Sequence, residues 1–134
     1  MGADPQTAVP LERTLDGVLG FEFLETGEEE ARARFTVGDR HRQPMGLVHG
    51  GAYAALAESL CSASTHIAVS PDSIAVGQSN LTTFTRPVSE GAIDARARRR
   101  HRGRTTWVWE VDFTDQHGRL CATTRVTMAV RPAA

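Results

Sequence analysis

The stretch HRQPMGLVHGGAYAALAESLCSAS, His41 to Ser64, holds the residues whose types and spacing suit chemistry on a polarised carbonyl. Between Gly51 and Ile67 the one residue with a formal charge at neutral pH is Glu58, set among Ala52, Tyr53, Leu56, Ala57, Leu60 and Cys61. A helix that is apolar on every side is a buried helix. An ionised carboxylate buried in it must reach a cavity, a partner charge or water. Two readings of Glu58 are open: an ion pair with an arginine across a subunit interface, or a general base or nucleophile. Ser62 lies four residues on, one turn along the same face, where its hydroxyl could hold a water or the carboxylate.

Gly50 and Gly51 stand where this helix begins, and there the backbone N–H groups lack intrahelical acceptors and the dipole favours negative charge. Glycine lets a ligand oxygen come close, so this end suits an oxyanion hole. Gly50 and Glu58 are eight residues apart, which on one helix is roughly 12 Å along the axis. That is too far for both to touch one carbonyl. If they share a reaction centre, each must come from a different subunit.

A second cluster is the run RRRHRGRTT, in which Arg98, Arg99, Arg100, Arg102 and Arg104 bracket Gly103 and precede Thr105 and Thr106. In a strand, turn, strand context without stacking aromatics it does not read as a nucleic-acid motif. It is either a solvated hairpin or a phosphate clamp of guanidinium and turn N–H groups.

The elements that must position these groups follow from periodicity. The spacing predicts a short helix over Leu11 to Leu19, strands from Phe21, and a turn over Gly27 to Glu30. Ala31, Ala33, Phe35 and Val37 then alternate with Arg32, Arg34 and Thr36, the period of a half-exposed strand. A polar loop, Gly38 to Leu47, leads to one long helix, Val48 to Ala68, closed by Ser70, Pro71 and Asp72. Four further strands are expected over Ile74–Arg86, Ala92–Arg102, Thr105–Thr114 and Leu120–Val130. Their separators, Pro87 to Gly91, Gly103 and Asp115 to Gly118, have turn chemistry at hairpin spacing. Trp107, Trp109, Val111 and Phe113 share one face of the third, with Glu110 and Asp112 opposite. The order predicts an α+β layer, one long helix against one antiparallel sheet.

Composition bounds the rest. The 134 residues fit a single domain, 1–134, with residues 1–10 as a loose arm. Apolar residues at 40% and charged residues at 23% are ordinary for a soluble globular chain. Net charge is −1, and the second half carries most of the arginine, so any anion-binding surface belongs there. Cys61 and Cys121 have neither CxxC spacing nor accompanying histidines, which argues against a zinc site or a disulfide framework. A cytoplasmic location is the default, since MGADPQTAVPLER lacks a secretory pattern and Gln6 breaks the myristoylation pattern. At about 17 residues with a carboxylate in it, the apolar run does not suit a membrane span.

With the loop QPMGLVHGG, the helix carboxylate and FTRP closing the next strand, residues Gly20 to Pro132 resemble the hotdog-fold acyl-CoA thioesterases. The branch resembled is the phenylacetate-pathway and Arthrobacter-type 4-hydroxybenzoyl-CoA one. Gln43 stands six residues before His49 and Glu58 nine after it; a Gln and Glu pair is closer to the hydroxybenzoyl type. The resemblance implies a long central helix wrapped by an antiparallel sheet. It implies hydrolysis of an acyl-CoA thioester, aromatic or aryl-acetyl, by a homodimer assembling to a homotetramer, with no cofactor or metal.

Residue by residue, the resemblance implies that the Gly50 N–H polarises the thioester carbonyl and that His49 shapes the turn. Gln43 would orient thioester or water, Glu58 would act across the dimer, and Ser62 would help position water. Arg102, Arg104, Thr105 and Thr106 are candidates for the nucleotide end of coenzyme A. Arg86 is either structural or near the pantetheine route, and Asn80 either lines the acyl pocket or makes a strand hydrogen bond. A bland alternative stays beside each: a structural loop histidine for His49, a solvated amide for Gln43. The rival functions are a noncatalytic acyl-CoA binding protein and a hotdog dehydratase or hydratase.

Overall fold

Alternation decides the sheet. In the computed structural model, which describes residues 8–134, the strand β2 (Glu30–Thr36) buries Ala31, Ala33 and Phe35 and exposes the residues between them. The arm expected over residues 1–10 falls mostly outside the described residues; Ala8, Val9 and Pro10 are exposed. β1 (Glu22–Thr26) pairs with β2 through the expected turn. The short N-terminal helix is split: a 3-10 turn, Leu11–Arg13, precedes α1 (Leu15–Val18), where the Thr14 hydroxyl accepts the Gly17 N–H.

The long helix α2 spans Gly50–Val69, starting two residues later than the pattern suggested because Val48 is held in a bridge to Arg42 and His49 caps the helix. Then follow β3 (Ser73–Phe84), β4 (Ala92–Arg102), β5 (Thr106–Thr114) and β6 (Leu120–Pro132). All pairings are antiparallel, in the order β1-β2-β4-β5-β6-β3. The turns at Gly103 and at Asp115 to Gly118 close hairpins as expected. Pro87 to Gly91 does not: it is a crossover from the sheet edge to its interior. The reason is that β3 finds its partner in β6, and the crossover's carbonyls are used by the site loop, Val88 O by Val48 N–H and Gly91 O by Val37 N–H.

The core lies between sheet and helix. β5 turns Trp107, Trp109, Val111 and Phe113 inward, and α2 meets them with Tyr53, Leu56, Ala57, Leu60 and Cys61. One buried polar chain joins the layers: Trp109 Nε1–H donates to Thr65 Oγ1 at 2.9 Å, and the Thr65 hydroxyl donates to Cys61 O at 2.7 Å. The outer sheet face is a charged ladder, including Arg34 with Glu22 and Arg125 with Glu110.

Burial of α2 is one-sided, which corrects the expectation of a helix enclosed all round. Gly51, Glu58 and Ile67 are exposed. The sheet covers one face, and small residues on the other kept the sequence from showing which face stays open. β3 is unusual in the same way. It sits at the sheet edge, twelve residues long, with Val76, Leu81 and Phe84 each more than half exposed.

Candidate active site

β3 runs back along α2, so that Phe84 faces Gly50, Asn80 faces Ala54 and Gly77 faces Glu58. The two ends of that contact are two clefts, and the candidate catalytic residues divide between them.

The first cleft, of about 370 Å³, is lined by Gln43, Gly50, Tyr53, Phe84, Arg86 and Val88 among others. His49 ties the start of α2 to the preceding loop: its Nδ1 accepts the Gly51 N–H at 2.8 Å and its own backbone N–H donates to His41 O at 2.7 Å. Gly50 is the first residue of α2, so its N–H has no intrahelical acceptor and lies at the positive end of the dipole. A Cβ here would stand 2.3 Å from Phe84 Cζ; only glycine lets the ring cover this point. The Gln43 side-chain oxygen accepts the Met45 N–H, which leaves its NH₂ group as a donor. The cleft therefore presents N–H donors where an oxyanion would form.

Three residues of this end carried no functional assignment from the sequence. His41, fully buried, accepts the Gly38 N–H at 2.9 Å through Nδ1 and donates Nε2–H to Leu19 O at 2.6 Å, which fixes the loop leading to His49. Tyr53 packs among Phe35, Phe84 and Phe113, and burial pushes its hydroxyl up from the usual phenol value. Its place three residues after Gly50, on the same helix face, was the available signal. Phe84 closes the cleft over Gly50.

The second cleft, of about 350 Å³, lies between α1 and the open face of α2 and includes Asp16, Glu58, Ser59, Ser62, His66 and Ile67. Glu58 is exposed in the single chain, where the sequence predicted burial; its neighbours are small, so the carboxylate reaches open space. A Cβ on Gly77 would lie 3.2 Å from Glu58 Cδ, so the bare backbone of β3 is the surface on which this carboxylate rests. Glycine inside a strand was the sequence signal for such an approach. Ser59 Oγ–H donates to Asp16 Oδ1 at 2.6 Å and ties α1 to the rim. Burial pushes both thiols, Cys61 and Cys121, up, so neither supplies a thiolate.

Asn80 lines neither cleft. Its Nδ2 donates to Ala54 O at 2.9 Å and its Oδ1 accepts from Thr82, which fastens β3 to the helix. The arginine turn stands at the far end of the sheet from Gly50: the Thr105 carbonyl accepts the Val130 N–H, next to where β6 meets the start of β3. Arg99 and Arg102 lie over the Trp107 ring at 4.9 and 5.2 Å and pair with Glu28 from the β1–β2 turn. Arg100 pairs with Glu110 at 3.6 Å. Arg104 and Thr105 are exposed at the tip and Thr106 is half-buried.

A six-stranded antiparallel sheet packed on one long helix that carries a capped glycine start and a carboxylate nine residues past its cap defines a hotdog protein. Residues 45–122 match the thioesterase superfamily model. The proofreading thioesterase EntH of Cronobacter turicensis is 37% identical over 117 residues, 87% of this chain and 85% of the relative. The crystal structure of a mutant of thioesterase PA1618 from Pseudomonas aeruginosa superposes with a TM-score of 0.86 at 34% identity, covering 90% of this chain and 88% of that one. The PaaI protein of the E. coli phenylacetic acid degradation operon shares the fold at 22% identity and a TM-score of 0.75, over 89% of this chain and 85% of that one. The chain belongs to the thioesterase superfamily and is a thioester hydrolase.

Proposed function

We propose that the chain hydrolyses an acyl-CoA thioester, with an aromatic or aryl-acetyl acyl group, to free acid and CoA in the cytoplasm, and that it does so as a homodimer pairing to a tetramer. One observation carries this reading: the N–H donors around Gly50 and the Glu58 carboxylate occupy separate clefts of one chain, both along the open edge of β3. Neither cleft alone holds both groups that the reaction needs.

A second copy supplies the missing half. An exposed, long, apolar edge strand is a template for pairing, and two β3 edges running antiparallel about a two-fold axis would bury Val76, Leu81 and Phe84. Phe84 and Asn80 face the helix, and a bulge after Gly77 brings that residue to the same side. Pairing centred on Leu81 then sets Gly77 opposite the partner subunit's Phe84, and so brings Glu58 beside the partner subunit's Gly50.

In that site the Gly50 N–H and the Gln43 amide receive the thioester oxygen. The Glu58 carboxylate either takes a proton from water as water adds to the carbonyl carbon, or adds itself to form a mixed anhydride that water then opens. Both routes expel CoA thiolate. Ser62, one turn beyond Glu58, stands where it would orient the water. The exposed tip at Arg104 and Thr105, with half-buried Thr106 beside it and Arg102 behind it, is the proposed phosphate contact, and Arg86 lies on the pantetheine side because it lines the Gly50 cleft.

A thiol-release assay over aryl, phenylacetyl and fatty acyl-CoAs tests the reading. Glu58→Ala should lose at least about a hundredfold in kcat, the scale of removing a general base. Equal turnover by wild type and variant would refute the role of Glu58. A single turnover in heavy-oxygen water tests for the anhydride: label in Glu58 shows that water opened an anhydride at the Glu58 carbonyl, whereas label in the acid product alone fits the base route or opening at the acyl carbon.

A further inference from the structure

The loop that carries Gln43 and leads to Gly50 is held from inside the protein by a single buried histidine. Residues 38–49 leave β2 and fold back on themselves: Arg42 and Val48 form a bridge, the Gln43 N–H donates to Leu47 O at 2.8 Å, and the His49 N–H donates to His41 O at 2.7 Å. Gln43 stands at the turn, and Gly50 directly follows the returning arm. That arm is attached to the crossover, with the Val48 N–H on Val88 O at 2.8 Å and the Arg42 guanidinium on Ser89 O. The outgoing arm is attached to α1. There exposed Arg40 donates to Val18 O at 2.9 Å, and buried His41 makes the inner contact.

Both ring nitrogens of His41 meet backbone groups whose roles are fixed. The Gly38 N–H, 2.9 Å away, can only donate, so Nδ1 carries the lone pair; the Leu19 carbonyl, 2.6 Å away, can only accept, so Nε2 carries the proton. The ring packs on Phe35 with centroids 4.7 Å apart. One residue thus joins the exit of β2, the end of α1 and, through its own carbonyl, the His49 cap of α2. A phenyl ring would fill the same space against Phe35 without either bond. What the imidazole adds is one defined position, the property a fully satisfied buried polar network confers.

Resting on the thioesterase reading above, we propose that His41 is a positioning residue for hydrolysis: its Nδ1 lone pair and Nε2–H hold the loop so that the Gln43 amide and the Gly50 N–H converge on the thioester oxygen. His41 itself touches no reacting atom. Donors of this kind act as charge develops on that oxygen, so an error in their placement weakens the transition state more than the bound substrate. The signature is a loss in kcat at unchanged KM.

The test compares wild type with His41→Phe, His41→Asn and His41→Gln over the acyl-CoA panel, with rates expressed per folded protein. His41→Phe keeps the ring packing and loses both bonds. His41→Asn puts an acceptor where Nδ1 was and His41→Gln a donor where Nε2 was, so each keeps one. In His41→Phe kcat should fall about ten- to a hundredfold, with KM within about twofold, and in the other two it should fall less. Amide hydrogen exchange gives a readout apart from turnover. In His41→Phe the Gln43, Val48 and His49 amides should exchange faster while the amides of β5 stay protected. Unchanged kcat per folded protein, a loss carried by KM alone, or exchange quickened in β5 as much as in the loop overturns the proposal. If wild type hydrolyses no thioester of the panel, the thioesterase reading fails by itself. Exchange then decides the hold of His41 on the donor loop: a change confined to the loop upholds it, and no change overturns it.

Discussion

Glu58 rests against the bare backbone of Gly77, and if Glu58 acts as proposed, this contact brings a residue outside the sequence motif into its positioning. A methyl group at 77 would sit 3.2 Å from the carboxyl carbon. Gly77 is exposed on an edge strand, so the flexible end of Glu58 gives way before the fold does. Gly77→Ala is thus expected to lower kcat by about three- to tenfold through a misplaced carboxylate, with KM and the melting temperature little changed. A fall in melting temperature that accounts for the lost activity would show Gly77 to be structural only. Gln43, His49, Gly50 and Glu58 could be nominated from the sequence because their spacing lies within one loop and one helix. Gly77 could not, because it reaches Glu58 only once β3 lies along α2, outside that stretch.

At the scale of elements, β3 carries the prediction. If two copies pair antiparallel about Leu81, the two Leu81 side chains face one another, so Leu81→Cys should form a disulfide-linked dimer under mild oxidation. The native Cys61 and Cys121 are buried and do not compete. Leu81→Lys places like charges opposite each other and should give a monomer by analytical ultracentrifugation, with hydrolysis lost in parallel. Cross-linking at Val76→Cys but not at Leu81→Cys would move the register and separate Glu58 from the partner subunit's Gly50. Within the helix, Thr65→Val removes the acceptor of Trp109 Nε1–H and should cost about 1–3 kcal/mol in denaturant unfolding, the penalty of a buried donor left unpaired.

At the scale of the molecule, mixing tests whether catalysis crosses the interface. Glu58→Ala and Gln43→Ala would damage opposite sides of the proposed composite site. Co-refolded in equal amounts, half of the dimers are mixed and each keeps one intact site, so activity should return to about a quarter of wild type. Activity no higher than that of the separate variants would place both groups in one subunit's site. The pH profile of stability has its own sign. Desolvation holds His66 below the ordinary 6.5 of an imidazole, so the unfolded chain protonates first as pH falls. The stability is complete above 6.5 and is lost as pH falls through that value toward the folded one. His66→Phe should flatten this part of the curve of urea midpoint against pH.

What the sequence determined by itself was local: the alternation of β2 and β5, the capped glycine start of α2, and a carboxylate too far along the helix to share a carbonyl with that start. These follow from periods of two and 3.6 residues and from a fixed rise per residue. Tertiary structure decided the rest. It paired β3 with β6 rather than with its neighbour in the chain, left β3 at an open edge, exposed Glu58, and set His66 in the same cleft. Which strand pairs with which depends on the packing of the whole sheet against one face of α2, and a helix of small residues does not announce which face that is.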